Sequence, residues 1–187
     1  MTVKNITILG SGVMGHGIAQ VSATAGYNVV IRDIEQGFLD KAMEKIRWSL
    51  DKLVSKEKIS KEEGDAIFGR IKPVVDLKEA VKDAELVIEV VPEIMDLKKK
   101  VYAELDEVAA PEVIFASNTS TLPITEIANT TSRPEKFIGI HFFNPPQLMK
   151  LVEVIPGEKT SQEITELTKD YVKSVNKQAV LCRKDVP

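Results

Sequence analysis

The chain has 187 residues, 43% of them hydrophobic and 28% charged, with a formal net charge of -3 and one cysteine. That is the composition of a globular protein able to bury a substantial core, and the acidic balance argues against nucleic acid as a partner, since such binding rests on neutralising phosphates. A single cysteine forbids an intrachain disulfide, fits a reducing compartment and is too little for a cysteine-based metal site, so no metal is expected.

Residues 3–9 read as a buried strand, β-branched and apolar. The run breaks into Gly10-Ser11-Gly12-Val13-Met14-Gly15, with glycines at G-x-G-x-x-G spacing. It resumes as a helix over 15–25, with Ile18, Val21, Ser22 and Ala25 on one face and Gly26 beyond its end. Residues 28–33 form a second strand that ends in Asp33. Glycines at this spacing are a weak signal alone. With a strand before, a helix after and an acid ending the next strand, they make a dinucleotide-binding fingerprint. Gly10 would allow the tight turn, Gly12 the approach of a pyrophosphate, and Gly15 close packing of helix on strand. The first helical turn, with Val13 and Met14, would offer N–H groups to the phosphates. Asp33 would bond the ribose hydroxyls and repel a 2′-phosphate, so NAD is expected over NADP. Arg32, its strand neighbour, should point away from the ribose.

From 37 to about 70 the pattern departs from a plain βαβ unit. Leu39, Ala42, Met43, Ile46, Leu50 and Leu53 recur at helical spacing, and Ser60-Lys61-Glu62-Glu63 has the form of a capping box opening a shorter helix. A helical hairpin projecting from the sheet is the simplest reading. Its lysines (Lys41, Lys45, Lys52, Lys56, Lys58 and Lys61) read first as a solvated face. The sharper alternative is contact with the phosphates of a long anionic substrate. Alternation then returns, with strands at 71–75, 85–91, 113–117, 137–142, 151–155 and 179–183, and helices at 77–82, 94–109, 124–128 and 161–176. This order predicts an α/β fold of Rossmann type: one domain over 1–187 with a doubly wound, mostly parallel sheet and an inserted hairpin. No apolar run approaches the ~18 residues that span a membrane. The start shows no signal-peptide pattern, so the cytoplasm is the expected compartment.

Ligands of open parallel sheets sit outside the carboxyl ends of the strands. Glu93, Asn118, Ser120 and His141 fall at such ends and should open toward the glycine turn's crevice. His141 is one of two histidines; the other, His16, falls in the first turn of the cofactor helix. A lone histidine in an apolar strand is usually a satisfied core residue. Glu153 changes those odds, because it interrupts Leu151-Val152-Glu153-Val154-Ile155 and a buried acid needs a partner. The adjacent strand offers His141, and such a pair fixes the tautomer and steadies the imidazolium. Glu89, within Val87-Ile88-Glu89-Val90-Val91, poses the same burial problem with no partner identifiable from the sequence. A general base beside a nicotinamide implies oxidation of an alcohol.

His141-Phe142-Phe143-Asn144-Pro145-Pro146, with Ser117-Asn118-Thr119-Ser120 and Leu151-Val152-Glu153-Val154, closely resembles the 3-hydroxyacyl-CoA dehydrogenases, including the 3-hydroxybutyryl-CoA enzymes. The likeness runs from the glycine fingerprint to Lys184-Asp185-Val186-Pro187. It implies reversible, metal-free, NAD-dependent oxidation of an (S)-3-hydroxyacyl-CoA to the 3-oxoacyl-CoA, as in fatty-acid β-oxidation or butanoate metabolism. By resemblance His141 is the base and Glu153 its orienting partner, Ser120 bonds the substrate 3-oxygen, and Asn144 belongs to the active-site loop. Asp33, Glu93, Lys98 and Asn118 match cofactor-contacting positions, and Ser49 and Lys56 positions near CoA. In the family the closing Asp-x-Pro leads into Gly-Phe, Asn-Arg and a helical domain that builds a homodimer and closes the cleft. The chain is therefore expected to be a cofactor domain that binds NAD and turns over little alone. Two rival readings stand beside this one: a non-catalytic NAD-binding module, and a dehydrogenase of another 3-hydroxy acid.

Overall fold

A computed structural model describes residues 3–186. The chain opens with β1 (Asn5–Leu9), α1 (Val13–Thr24) and β2 (Asn28–Arg32), and then forms the hairpin of α2 (Gln36–Ser55) and α3 (Lys61–Gly69). The capping box is formed: Ser60 Oγ accepts from the Glu63 N–H, and Glu63 Oε2 accepts from the Ser60 N–H at 2.8 Å. There follow β3 (Ile71–Val74), α4 (Leu77–Val81), β4 (Leu86–Glu89), α5 (Met95–Val108), β5 (Ile114–Ser117) and α6 (Ile124–Ala128). A 3₁₀ turn at Pro134–Lys136 leads into β6 (Phe137–Phe142), β7 (Leu151–Pro156), α7 (Gln162–Ser174) and β8 (Gln178–Leu181).

The eight strands form one sheet in the order β3-β2-β1-β4-β5-β6-β7-β8. Strand pairing is parallel throughout except between β6 and β7. The order reverses between β1 and β4, which creates the crevice at the carboxyl ends where such folds take ligands. Alternation along each strand builds two apolar layers. Ile6, Ile8, Ile138 and Ile140 pack on one face with Ile18, Leu39, Ile46 and Tyr171. Leu9, Val87, Phe115 and Phe137 pack on the other with Tyr102, Leu105 and Ile124.

The predicted elements are present with shifted ends. The strand expected over 85–91 stops at Glu89, and Val90 instead packs its Cγ2 over the glycine turn. α1 begins at Val13, two residues before the predicted start, since Gly12 already serves as its N-cap. Among the described residues no helix is long and apolar enough to cross a membrane.

Candidate active site

The glycine turn is shaped by steric necessity. Gly10 has φ +103°, and a Cβ there would lie 2.9 Å from the Val90 carbonyl oxygen. A Cβ on Gly15 would lie 1.9 Å from the Gly10 carbonyl oxygen, so α1 starts this close to β1 only with a glycine there. A Cβ on Gly12 would meet nothing within 4 Å. Gly12 thus leaves open space at the N-terminus of α1, where no side chain caps the helix and its first turn holds no acid. This is a cradle for an anion, and the residues present fit a dinucleotide's pyrophosphate.

Beside the turn lies a cavity of about 620 Å³, lined by Gly10, Gly12, Asp33, Phe38, Lys41, Lys45 and Val90 among others. Asp33 is fixed at its edge. Its Oδ2 accepts from both the N–H (2.8 Å) and the hydroxyl (2.7 Å) of Ser11, and its Oδ1 from the Ile34 N–H. Ser11, unmarked in the sequence, is therefore the residue that aims this carboxylate. His16 donates from Nδ1 to the Gly12 carbonyl at 2.7 Å. Burial lowers its pKa; the Gly12 carbonyl raises it in part, and the nearby Lys45 charge adds to the lowering. Arg32 donates from Nε to the Val75 carbonyl at 3.0 Å, beyond the end of β3. Lys41 and Lys45 are exposed, as a solvated face predicts, and line this cavity with Phe38 and Ala42 from one face of α2. Ser49 and Lys56 do not line it; Ser49 is half-buried and Lys56 exposed.

The second group gathers at the ends of β5, β6 and β7. His141 and Glu153 stand directly opposite each other across the antiparallel pair. Glu153 Oε2 is 2.8 Å from His141 Nδ1, with the side chains 13% (His141) and 23% (Glu153) exposed. With Nδ1–H donating to the carboxylate, Nε2 keeps its lone pair for a proton. The Phe143 ring lies 4.6 Å from the imidazole, centroid to centroid. Asn118 is buried and uses Oδ1 to accept from the Phe142 N–H at 2.8 Å, tying the end of β5 to the end of β6. Ser120 and Asn144 are exposed. The loop carrying Asn144 rests on α1: a Cβ on Gly17 would come within 3.0 Å of the Pro146 ring, and Gln147 bonds Gln20.

Glu89 finds its partner in Lys98. The two are 0% and 1% exposed, and Nζ lies 2.6 Å from Oε1. Oε2 accepts from the Ser117 hydroxyl at 2.7 Å, and Oε1 also from the Val91 N–H. Burial pushes the Glu89 carboxyl up, while Lys98, Ser117 and Val91 pull it back. The Lys98 ammonium also reaches Glu93 Oε2 and the Val91 carbonyl, both at 3.3 Å. All three of its donors are thus engaged inside the protein. Lys98, matched by resemblance to a cofactor-contacting position, is 1% exposed and lies beneath the crevice, bonded to Glu89 and paired with Glu93. Glu93 Oε1 accepts from the Thr119 hydroxyl (2.5 Å), the Ser120 N–H (2.8 Å) and the Thr121 N–H (3.1 Å). Partial burial pushes the Glu93 carboxyl up, but these bonds and Lys98 outweigh it and hold it below the usual carboxylate range. Glu93, Asn118 and Ser120 therefore form one cluster with Glu89 and Lys98, joined to β6 through Asn118.

Residues 5–186 match the family described as 3-hydroxyacyl-CoA dehydrogenase, NAD binding domain. The chain is 42% identical over 190 residues to the mitochondrial hydroxyacyl-coenzyme A dehydrogenase of Homo sapiens, covering 99% of this chain and 60% of that protein. It is 42% identical over 172 residues to the 3-hydroxybutyryl-CoA dehydrogenase of Clostridioides difficile, covering 92% and 61%. The crystal structure of an (S)-3-hydroxybutyryl-CoA dehydrogenase from Ralstonia eutropha superposes with a TM-score of 0.95 at 37% identity, over 98% of this chain and 64% of that one. The chain thus spans about 60% of the length of the first two relatives. Fold, glycine cradle and match over nearly all of its length agree that the chain belongs to the 3-hydroxyacyl-CoA dehydrogenase family, as its NAD-binding domain.

Proposed function

We propose that this domain serves the reversible oxidation of an (S)-3-hydroxyacyl-CoA to the 3-oxoacyl-CoA. The observation that carries this reading is the His141–Glu153 pair, 2.8 Å apart at the carboxyl end of the sheet. Bound NAD supplies the hydride acceptor. The chain's own residues supply the rest. His141 Nε2 takes the proton of the substrate 3-hydroxyl, and Glu153 holds the ring by Nδ1 and steadies the imidazolium that forms. Ser120 donates to the same oxygen, and in the reverse direction His141 returns the proton. Asp33 would take the ribose hydroxyls and Gly10, Gly12, Val13, Met14 and Gly15 the pyrophosphate, and Glu93, Lys98 and Asn118 match further cofactor-contacting positions. Asn144 shapes the loop over the reacting centre, and Ser49 and Lys56 lie toward CoA.

A partly buried acid hydrogen-bonded to a histidine in an apolar strand speaks against a non-catalytic module, which has no need of one. The hairpin lysines that do not line the cavity beside the glycine turn, Lys52, Lys56, Lys58 and Lys61, favour CoA over a free 3-hydroxy acid. The relatives extend beyond the matched region, so full turnover and homodimer assembly are assigned to an enzyme carrying this domain. The 187 residues alone are expected to bind NAD and turn over poorly. The single cysteine supports a reducing compartment such as the cytoplasm.

The test is His141→Gln in an enzyme carrying this domain, assayed with 3-hydroxybutyryl-CoA, longer 3-hydroxyacyl-CoAs and free 3-hydroxy acids. The expected result is a fall in kcat of ~10²–10⁴-fold, the usual worth of a general base, with NAD affinity within a few-fold. Turnover surviving in the variant sinks the assignment of the base; preference for free acids sinks the CoA substrate.

A further inference from the structure

A fully buried carboxylate lies outside the proposed chemistry. Glu89 is fully buried at the carboxyl end of β4, beside Ser117 in the parallel register and next to Leu9 on the other side. A buried ion pair is weak as a source of stability, because desolvation cancels its attraction and an apolar pair of like volume does as well or better. The fold therefore does not need an ion pair here. What the pair does is visible in its bonds. Lys98 comes from α5, crosses into the sheet, and spends its three donors on Glu89, Glu93 and the Val91 carbonyl. Glu93 passes the constraint on, collecting the Thr119 hydroxyl and the N–H groups of Ser120 and Thr121 on one oxygen. From below, Glu89 takes the Ser117 hydroxyl on its side chain and the Asn118 N–H on its backbone carbonyl. The turn after β5 is thus gripped from both sides by groups that answer to one buried carboxylate.

We propose that the buried Glu89–Lys98 pair is a positioning device: it fixes Glu93, and through Glu93 the turn at 119–121, so that the Ser120 hydroxyl is held in place at the carboxyl edge to which Asn118 ties β6. Glu89 is a positioning residue in this scheme; Lys98 pairs with it and keeps the cofactor-contacting position that the resemblance gives it. The inference rests on the dehydrogenase reading for what Ser120 does, but the mechanical link does not.

The experiment is the double variant Glu89→Gln/Lys98→Met. It removes both charges together, so no unpaired ion is left in the core, and the amide that replaces the carboxylate can still bond Ser117 and the Val91 N–H. Two readouts are taken. In the 187-residue chain, amide hydrogen exchange at Ser120 and Thr121 is expected to quicken about tenfold or more, while amides of β1 and β4 keep their protection. In an enzyme carrying the domain, kcat is expected to fall about tenfold or more at a melting temperature near wild type, and in Glu89→Gln alone, which leaves Lys98 in place, KM for NAD is expected to stay within twofold. Unchanged exchange at Ser120 and Thr121 together with an unchanged kcat overturns the proposal. So does a loss of activity that tracks a general loss of protection across the sheet, since that is a structural role only. Should the double variant not fold, Glu89→Gln alone, which leaves Lys98 paired with Glu93, carries the same test with about a threefold effect expected on both readouts. A wild-type enzyme that fails to oxidise any 3-hydroxyacyl-CoA sinks the dehydrogenase reading and leaves the exchange result to stand alone.

Discussion

At the glycine turn, residues matter for what they lack: a Cβ on Gly15 would meet the Gly10 carbonyl at 1.9 Å, and a Cβ on Gly10 would meet the Val90 carbonyl at 2.9 Å. At the β6–β7 pair they matter for what they carry, an imidazole and a carboxylate 2.8 Å apart on neighbouring strands. The first half of the sheet makes its site from backbone, with fold and site inseparable. The second half hangs its site on a ladder that stands without it. Damage to the two should therefore differ in kind.

The largest effect is expected from Gly15→Ala. The new methyl collides with backbone, which cannot step aside as a side chain can, so about 3 kcal/mol or more of stability should be lost. NAD affinity should fall with it; calorimetric titration and thermal unfolding measure both. A variant with wild-type melting temperature and wild-type NAD affinity would break the contrast. Next comes Glu153→Gln, at 23% exposure of its side chain. The amide keeps the shape but loses the charge that steadies the imidazolium, so kcat in an enzyme carrying the domain should drop ~10–10³-fold. NAD affinity and melting temperature should move little. An equal loss of NAD binding would show that the halves are not separate.

The smallest effect tests what ties the halves together. Asp106 on α5 accepts from the Arg133 Nε at 2.7 Å and from the Ser132 N–H, joining the middle of the chain to the approach to β6. Partial burial pushes its pKa up, but the Ser132 N–H and the Arg133 guanidinium outweigh this and hold it below its ordinary 3.8. A carboxyl depressed in the folded state stabilises above its unfolded pKa, and that contribution is lost as the pH falls through the lower folded value. Asp106→Asn should therefore cost about 1–2 kcal/mol near pH 6, with the gap to wild type closing as the pH drops below 3.8. A gap that stays constant from about pH 6 to about pH 3 would show the bond carries no charge-dependent tie.

The elements were legible in the sequence because they follow local rules: β-branched runs, helical spacing and a capping box that formed as written. The His141–Glu153 pair was legible for a different reason, since an acid in a short apolar strand demands a partner and the neighbouring strand holds one histidine. Glu89 obeyed the same rule, yet its partner was invisible. Lys98 lies on a helix, and only the packing of α5 on the sheet aims that lysine inward. Lys41 and Lys45 are exposed, as a solvated face predicts, but nothing local says that they line the cavity beside the glycine turn with Phe38 and Ala42. Ser11 was hidden in a variable slot of the fingerprint.

β8 ends the sheet beyond β7, with Val180 and Leu181 41% and 49% exposed. A terminal strand that shows apolar side chains is a template on which another polypeptide can dock edge to edge. Its consequence is colloidal: at high concentration the 187-residue chain should self-associate along this border, and the net charge of -3 is too small to hold the copies apart.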